Sequence, residues 1–311
     1  MLKKQVSGLM LIRLLNLTLV IFAIVAFCWY FWVYRRSTKS LQVVQLQCKQ
    51  VPQLSVKGNH IDLLIIQDHS RKIIYSISYL GFRNEQPVWL LNLPADGWVY
   101  NPLVSRDPFQ LKFLPRIASD ECQLIQSLLQ ITGLPVFRFY IVDRKDGVLK
   151  TNEEIKSIKV SALVQQFENK QAELARIPVR FTQDIVLEDG TKKKTLDLDK
   201  LFKDLQKYTQ IPDVLTEGLS VEIYNATDKT GYAAQWSKIL RSLGFRVVRI
   251  GNVNKKTLSD KSSNNVVFIK ESLEDSVSAN IIQELFPEAT FVHERFTNFI
   301  NTADVVIILL E

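Results

Sequence analysis

The sequence predicts an α/β protein with one N-terminal transmembrane helix, a middle α/β or α+β domain and a small C-terminal α/β sandwich. An uncharged run at residues 14–34 is long enough to cross a bilayer. The remaining chain alternates short β-branched or aromatic runs with amphipathic segments, which is typical of mixed α/β folds. The chain has 311 residues, 47% of them hydrophobic and 23% charged, which suits a folded core and two soluble domains.

Residues 14–34 form the predicted transmembrane segment. As a helix, with a rise of about 1.5 Å per residue, it would be roughly 31 Å long, close to the hydrocarbon thickness of a bilayer. Four aromatic residues of the kind found at membrane interfaces lie near its end: Trp29, Tyr30, Trp32 and Tyr34. A cleaved signal peptide is the alternative, but its apolar region would be shorter and would end at small residues. We therefore predict that residues 14–34 are an uncleaved anchor. Residues 1–13 precede it, and a polar stalk at residues 35–58 follows it.

The formal net charge of +7 is concentrated at the N-terminus. Residues 1–39 contain six basic and no acidic side chains, which leaves the rest of the chain nearly balanced. A nucleic-acid-binding protein needs a basic face on its folded part. The charge distribution therefore argues against nucleic acid as a partner.

Cys48 and Cys122 are the cysteines of the soluble part. They could pair outside the cytoplasm, but two separate buried thiols are the favoured interpretation. His60, His69 and His293 show no ligand spacing, and no Cys/His pattern suggests zinc, so we predict no metal site from these residues.

Residues 59–211 are predicted to form the middle domain. Its strand-like runs are bounded by Gly, Pro and Asp and lie at residues 61–67, 71–80, 87–94 and 136–143. Residues 120–131 carry apolar side chains on one helical face, and Gly133 follows as a helix-ending residue. This alternation predicts an α/β or α+β arrangement.

The end of the middle domain is predicted to contain a hairpin and a helix. Asp189 and Gly190 form a hairpin turn between two strand-like arms. Apolar residues at helical spacing from Leu198 to Tyr208 predict a short amphipathic helix. Residues 210–218 contain Pro and Gly and are the predicted domain boundary.

Residues 219–311 show the clearest α/β pattern. A strand at 220–225 precedes a helix that stops at Gly244, and a second strand follows. A third strand at 266–270 precedes a second helix, and a buried strand closes the chain. Two β-α-β passes in so short a segment predict a compact α/β sandwich.

This C-terminal pattern resembles the C-terminal domain of LytR-CpsA-Psr envelope proteins. That domain opens with a Val-x-Val-x-Asn strand, a Gly-Ala helix start and a Leu-x-x-x-Gly-Phe-x-Val turn. The matching positions are Asn225, Gly231, Ala233, Leu240, Gly244, Phe245, Val247, Gly251 and Asn252. The resemblance implies a LytR_C-like domain at residues 219–311. It also implies that the N-terminus is cytoplasmic and the bulk of the chain extracytoplasmic, which the flanking charges do not decide.

Residues 59–211 resemble a degenerate form of the catalytic domain of the same family. In that family, Arg and Asp side chains hold a lipid pyrophosphate and Mg²⁺ while a glycopolymer is transferred to the cell wall. Asp62 and Asp96 are the residual catalytic candidates, but Ala95 stands where the family has an Arg. Arginine can bind phosphates in a bidentate way and Ala cannot. An Asp at a strand end is commonly a turn or cap residue, and we favour that interpretation for both carboxylates.

The loop at residues 225–231 is the candidate binding site of the C-terminal domain. It joins a strand to a helix N-terminus, where anions can bind, and Asn225 and Gly231 are its candidate residues. The loop lacks both glycine patterns of phosphate-binding loops, so an ordinary tight connection is the favoured interpretation. Residues 192–194, three lysines, are assigned to a solvated face, and Trp236 is assigned to the core.

The leading hypothesis is a non-enzymatic, membrane-anchored envelope protein whose extracytoplasmic domains bind cell-wall glycopolymer or an envelope partner protein. It follows from the resemblance together with Ala95, which stands where the family has an Arg, and it requires no cofactor. One alternative is a LytR-CpsA-Psr-type phosphotransferase, which attaches lipid-linked glycopolymers to the wall and would need Mg²⁺. Another alternative is an envelope-located regulator or assembly scaffold.

Overall fold

The structure, a computed structural model, describes residues 42–48, 54–56, 59–153, 174–187, 189–254, 264–293 and 302–310. The predicted transmembrane segment at residues 14–34 and the preceding residues 1–13 lie outside this part of the chain. Within it, none of the helices is both long and apolar enough to cross a membrane.

The described residues form three sheets and six α-helices. In chain order the strands are β1 (Gln42–Gln45), β2 (Ser55–Val56), β3 (Asn59–Asp68), β4 (Ile73–Arg83), β5 (Gln86–Leu93), β6 (Trp98–Val99), β7 (Phe109–Gln110), β8 (Arg138–Asp143), β9 (Val148–Thr151), β10 (Ala175–Arg176), β11 (Phe181–Val186), β12 (Lys192–Leu196), β13 (Ser220–Asn225), β14 (Arg246–Asn252), β15 (Val266–Ile269), β16 (Thr290–Val292) and β17 (Val305–Leu309). The helices are α1 (Leu114–Ile117), α2 (Glu121–Thr132), α3 (Leu198–Thr209), α4 (Pro212–Glu217), α5 (Tyr232–Leu243) and α6 (Val277–Leu285). The prediction of a mixed α/β protein is confirmed.

The largest sheet has the strand order β1-β9-β8-β3-β4-β5-β10, with β2 paired to β3. Its central strand β3 runs antiparallel to β4 and parallel to β8. Alternate side chains of β3 point to opposite faces, so Leu63 and Ile65 pack in the main core and Leu64 packs on the other face.

Helix α2 packs on the main-core face of this sheet through Leu124, Ile125 and Leu128. Its N-terminus is capped by Asp120, whose side chain accepts a hydrogen bond from the N–H of Gln123 at 2.8 Å. Gly133 ends the helix in the left-handed conformation, with a φ of 71°. The helix predicted at residues 120–131 therefore forms with the ends that its sequence indicates.

Cys48 and Cys122 form a disulfide bond, with their Cα atoms 5.3 Å apart. The favoured interpretation of two separate thiols is wrong. The two cysteines are 74 positions apart in the sequence, and only the pairing of β1 with β9 brings Cys48 to the first turn of α2.

The predicted stalk at residues 35–58 is partly a folded element. Strand β1 pairs in parallel with β9, and β2 pairs antiparallel with β3. Val43 and Leu46 pack on the large sheet, and Leu54 is buried in the core of the C-terminal domain. This segment joins the fold because its apolar residues can be buried while its backbone extends the sheet.

A smaller sheet has the order β11-β12-β6-β7. Strands β11 and β12 are antiparallel and form the hairpin predicted at Asp189 and Gly190, where Gly190 has a φ of 79°. The three lysines at residues 192–194 are exposed on β12, as predicted. The predicted amphipathic helix is α3, which Asp197 caps by accepting a hydrogen bond from the N–H of Lys200 at 3.0 Å.

The C-terminal sheet has the order β14-β13-β17-β15-β16. The units β13-α5-β14 and β15-α6-β16 each join two neighbouring parallel strands. Strand β17 is parallel to β13 and antiparallel to β15, so β13 and β15 run in opposite directions. From these two strands, the two units extend toward opposite edges of the sheet. Two right-handed crossovers arranged in this way place both helices on the same face of the sheet. One buried cluster contains side chains of both helices, and the predicted sandwich is formed.

The second β-α-β pass closes differently from the prediction. The sequence assigns the last strand as its return strand, whereas the structure uses β16 and inserts β17 between β13 and β15. Every residue of β17 is buried. A continuous apolar run is best accommodated in the centre of a sheet, where neighbouring strands and covering layers remove it from water.

The predicted boundary at residues 210–218 contains helix α4, which packs on the C-terminal core. Ile211 and Val214 are buried in the same cluster as side chains of α5 and α6. Gly244 ends α5 with a φ of 105° and leaves space for Leu215, since a Cβ there would lie 3.1 Å from that side chain. The boundary segment is therefore structurally part of the C-terminal domain.

Candidate functional site

Asp62 lies on the face of the large sheet opposite the main core, where it is paired with an arginine. The register places Asp62 of β3 beside Arg138 of β8. Nε and Nη2 of Arg138 donate to the two carboxylate oxygens at 2.9 and 2.8 Å. The side chain of Asp62 is fully buried, and that of Arg138 is 24% exposed. The carboxylate is thus held by a bidentate, charge-assisted pair.

Three further residues extend this arrangement: His60, Tyr140 and Glu153. Arg138 donates to Nε2 of His60 at 2.7 Å, and because a guanidinium can only donate, this nitrogen is the acceptor. The hydroxyl of Tyr140 donates to Glu153 at 2.7 Å. Together with Asp62 and Arg138 they make five residues, which we call the Asp62 cluster.

The Asp62 cluster contains a carboxyl group that titrates close to neutral pH. Burial raises the pKa of Asp62 from 3.8 to about 6, although the hydrogen bonds and the charge of Arg138 act in the opposite direction. Burial and the hydrogen bond to Glu153 also raise the pKa of Tyr140. The groups of the cluster therefore hydrogen-bond mainly to one another, while the side chains of Arg138 and Glu153 stay 24% and 37% exposed.

Asp96 lies apart from the Asp62 cluster. It occupies the turn after β5, its side chain is 81% exposed, and it pairs with Nζ of Lys112 at 2.6 Å. Asp62 is paired with Leu80 of β4, and Leu80 is paired with Leu90 inside β5. Asp96 lies beyond the end of β5, so it is not next to Asp62 in the sheet.

The two carboxylates do not fit the Mg²⁺ site implied by the phosphotransferase alternative. Mg²⁺ is bound by carboxylate oxygens that are open to it, and both oxygens of Asp62 are occupied by Arg138. Among the described residues, no group of three or more His, Cys, Asp or Glu side chains could hold a metal ion.

Asn225 closes the loop that the sequence identifies as a candidate binding site. Its amide oxygen accepts from the N–H and the hydroxyl of Thr227 at 3.0 and 2.7 Å. Its amide nitrogen donates to the carbonyl of Lys229 at 2.8 Å. Asn225 is therefore engaged within its own loop, whereas Gly231, with a φ of 84°, lies at the edge of a cleft.

This cleft lies between the middle and C-terminal domains and has a volume of about 220 Å³. Its walls come from the end of α2, the start of α3, the first half of α5 and the loop that follows β6. Its lining includes Tyr100, Gln130, Phe202, Gly231, Ala234 and Gln235. We call it the α2–α5 cleft.

Polar contacts bridge the two sides of the α2–α5 cleft. The main-chain carbonyl of Gln130, in the last turn of α2, accepts from Nδ2 of Asn101 at 2.9 Å and from Nε2 of Gln235. Nζ of Lys238 on α5 pairs with Asp199 on α3 at 2.6 Å. The shape of the cleft therefore depends on both domains.

Sequence reasoning missed Arg138, Tyr100 and Gln235. A period of two along the run RFYIVD of β8 places Arg138 on the face of Tyr140 and Val142, opposite the main core, which was the available signal. Its register with Asp62 is a tertiary property. Tyr100 and Gln235 belong to no motif, and they line one cleft only because α3 packs against both α2 and α5.

Comparison with known proteins identifies the C-terminal domain. Residues 218–310 match the model of the LytR_C family, described as LytR cell envelope-related transcriptional attenuator. This confirms the LytR_C-like domain predicted at residues 219–311 and is consistent with an envelope-related protein. The match does not extend to residues 59–211, whose catalytic-like ancestry stays a prediction.

The chain also shows a distant likeness to a solved structure. A crystal structure of a proposed transcription regulator from Eubacterium siraeum is 12% identical, and the likeness covers 80% of this chain and 87% of that chain, with a TM-score of 0.23. At this level the likeness carries no argument about fold or function. None of the curated proteins matches the chain.

Proposed function

We propose that this chain is a non-enzymatic, membrane-anchored envelope protein whose extracytoplasmic domains bind a cell-wall glycopolymer or an envelope partner protein. The match of residues 218–310 to an envelope-related domain family is the observation that carries this proposal. The uncharged run at residues 14–34 supplies the anchor, and residues 1–13 lie in the cytoplasm.

The disulfide between Cys48 and Cys122 supports an extracytoplasmic position. Disulfide bonds form and persist in oxidising compartments and are rare in the cytosol. The bond lies only a short distance along the chain from the predicted anchor, and it ties the segment after the anchor to α2.

The environments of the two candidate carboxylates support a binding role over phosphotransfer. Transfer from a lipid pyrophosphate requires preorganised cations that neutralise both phosphates and the charge developing in the transition state. The guanidinium of Arg138 is bound to Asp62, and Asp96 lies in an exposed turn. Neither carboxylate is arranged with cations around an open site.

The proposal is tested first by topology and by binding. A reporter that is active only in the cytoplasm, fused after Glu311, should be inactive, and an active fusion would reverse the orientation. The full-length chain in detergent should sediment with purified cell walls or form specific crosslinks to an envelope protein in cells. A chain that does neither would contradict the proposal.

Enzymatic activity is tested separately. The full-length chain, with a lipid-linked glycopolymer, cell wall and Mg²⁺, should show no transfer. Turnover that disappears in Asp62→Ala or Asp96→Ala would restore the phosphotransferase alternative.

An envelope-located regulator is the second candidate, because the matched family is described as a transcriptional attenuator. It predicts altered transcript levels in a deletion strain whose wall composition is unchanged. The binding proposal instead predicts that the composition of the wall, or the attachment of its polymers, changes before transcript levels do.

A further inference from the structure

We infer that the α2–α5 cleft binds a neutral sugar unit of a cell-wall glycan. The inference rests on the glycopolymer form of the proposed function and adds its location and the chemistry of the ligand. Clefts at domain junctions with a few convergent polar groups are common ligand sites. Four features of this cleft, namely its charge, its aromatic edge, its fixed amides and its size, select the class of ligand.

The charge of the cleft suits an uncharged ligand. Among the described residues that line it, Lys238 is the charged one, and its amine is neutralised by Asp199 at 2.6 Å. Sites for phosphate or carboxylate groups usually present arginine forks or several unopposed cations. A phosphodiester polymer would find no such groups here, whereas a neutral sugar does not need them.

The aromatic edge of the cleft suits a ring with an apolar face. Tyr100 lines the cleft and is 51% exposed, so its ring is accessible to a ligand. A tyrosine combines an apolar ring with a polar hydroxyl. A pyranose has the same division, with C–H groups on its faces and hydroxyls around its edge, so it can pack on Tyr100 and still form hydrogen bonds.

The amide groups of the cleft are held in place before a ligand arrives. Asn101 and Gln235 both donate to the main-chain carbonyl of Gln130, so neither side chain needs to be ordered by the ligand. Gln235 contributes a fixed amide oxygen, and Thr230 adds a hydroxyl at the same side of the cleft. Groups that are already ordered lose little conformational entropy on binding, which favours even a small ligand.

The size of the cleft limits the ligand to a small unit. Its volume of about 220 Å³ is below the roughly 300–1,000 Å³ of sites that enclose a drug-sized molecule. One sugar ring of a longer chain can occupy it while the rest of the polymer continues outside. A folded protein partner would instead need a broad surface of about 800 Å² on each side.

Two variants test the cleft directly in the full-length chain in detergent. Tyr100→Ala removes the aromatic edge, and Ala234→Trp fills the cleft from α5 without removing a polar contact. Tyr75→Ala is the matched control, because Tyr75 is also a half-exposed tyrosine, 46% exposed on β4. Tyr100→Phe keeps the ring and should bind as the parent does.

The probes are purified cell walls, the same walls stripped of phosphate-linked polymers with hydrofluoric acid, and soluble oligomers of β-1,4-linked N-acetylglucosamine. The parent chain should bind intact walls, and the soluble oligomers should compete. Tyr100→Ala and Ala234→Trp should weaken wall binding about tenfold, whereas Tyr75→Ala should leave it unchanged. Binding to stripped walls would identify the glycan backbone as the source of the sugar, and loss on stripping would identify the attached polymer.

Several outcomes would overturn the inference. If the parent binds walls and both cleft variants bind equally well, the cleft is the wrong site while the proposed function stands. If the parent binds no wall preparation, the glycopolymer form of the function fails as well, and a protein captured by crosslinks at position 100 would then be the partner. Thermal melts of all variants separate loss of binding from loss of folding, and Ala234→Trp decides the matter if Tyr100→Ala does not fold.

Discussion

Arg138 is the residue whose replacement we expect to destabilise the middle domain in a pH-dependent way. Arg138→Met keeps most of the aliphatic stem but removes both hydrogen bonds to Asp62. Because the side chain of Asp62 is fully buried, its ionised form then has no compensating charge. Removing one partner of a buried ion pair costs about 3–5 kcal/mol of unfolding free energy.

The pKa of Asp62 sets the direction of the pH dependence. It is about 6 in the folded protein, above the ordinary value of 3.8, so the folded state binds the proton more tightly than the unfolded state. In the parent, the contribution of Asp62 to stability should therefore be largest below about pH 4 and fall by about 3 kcal/mol as the pH rises to about 6 and above. Arg138→Met raises the folded pKa further, so its cost should be large at pH 8 and small at pH 5.

Urea unfolding of a soluble fragment, residues 40–311, at pH 5 and pH 8 measures this effect. The set comprises the parent, Arg138→Met, Asp62→Asn and the double variant, with Arg83→Met as an exposed-arginine control on β4. The double variant should recover much of the stability lost at pH 8, because no buried carboxylate is left without a partner. Equal losses at both pH values, or a double variant no more stable than Arg138→Met, would refute the reasoning.

Three further effects can be measured on the same fragment. Cys48→Ser should lower the unfolding free energy by about 2–5 kcal/mol, and the parent, denatured without reductant, should show no reactive thiol; two reactive thiols would show that the bond is absent. Val214 of α4 is fully buried, so Val214→Ala should lower the unfolding free energy by about 1–3 kcal/mol. Leu215 is 49% exposed, so Leu215→Ala should lower it clearly less. Equal losses would mean that α4 does not pack as described. Burial acts to raise the pKa of Asp304, but Lys270 and two hydrogen bonds from Ser220 of β13 lower it to about 2. The ionised carboxylate should therefore lose its stabilising effect on the fold as the pH falls from about 4 to 2. Asp304→Asn should flatten that part of the acid unfolding curve, and an unchanged curve would count against the lowered pKa.

Local features of the fold were determined by the sequence itself. The ends of α2 follow from Asp120 and Gly133, and the turn between β11 and β12 follows from Asp189 and Gly190. Each of these features depends on residues a few positions apart, so the physics that forms them can be read along the chain. The same holds for the LytR_C-like domain, whose strands and helices follow one another at short spacing.

The candidate sites were decided only by the tertiary structure. The pairing of Asp62 with Arg138 depends on the register of β3 and β8, and the disulfide depends on β1 joining the same sheet. Asp96 could be named from the sequence as a candidate, but its exposed position next to Lys112 could not. The α2–α5 cleft depends on how two domains pack. These contacts join residues far apart in the chain, and they form because burying apolar surface on both faces of the two larger sheets selects one arrangement among many that local preferences allow.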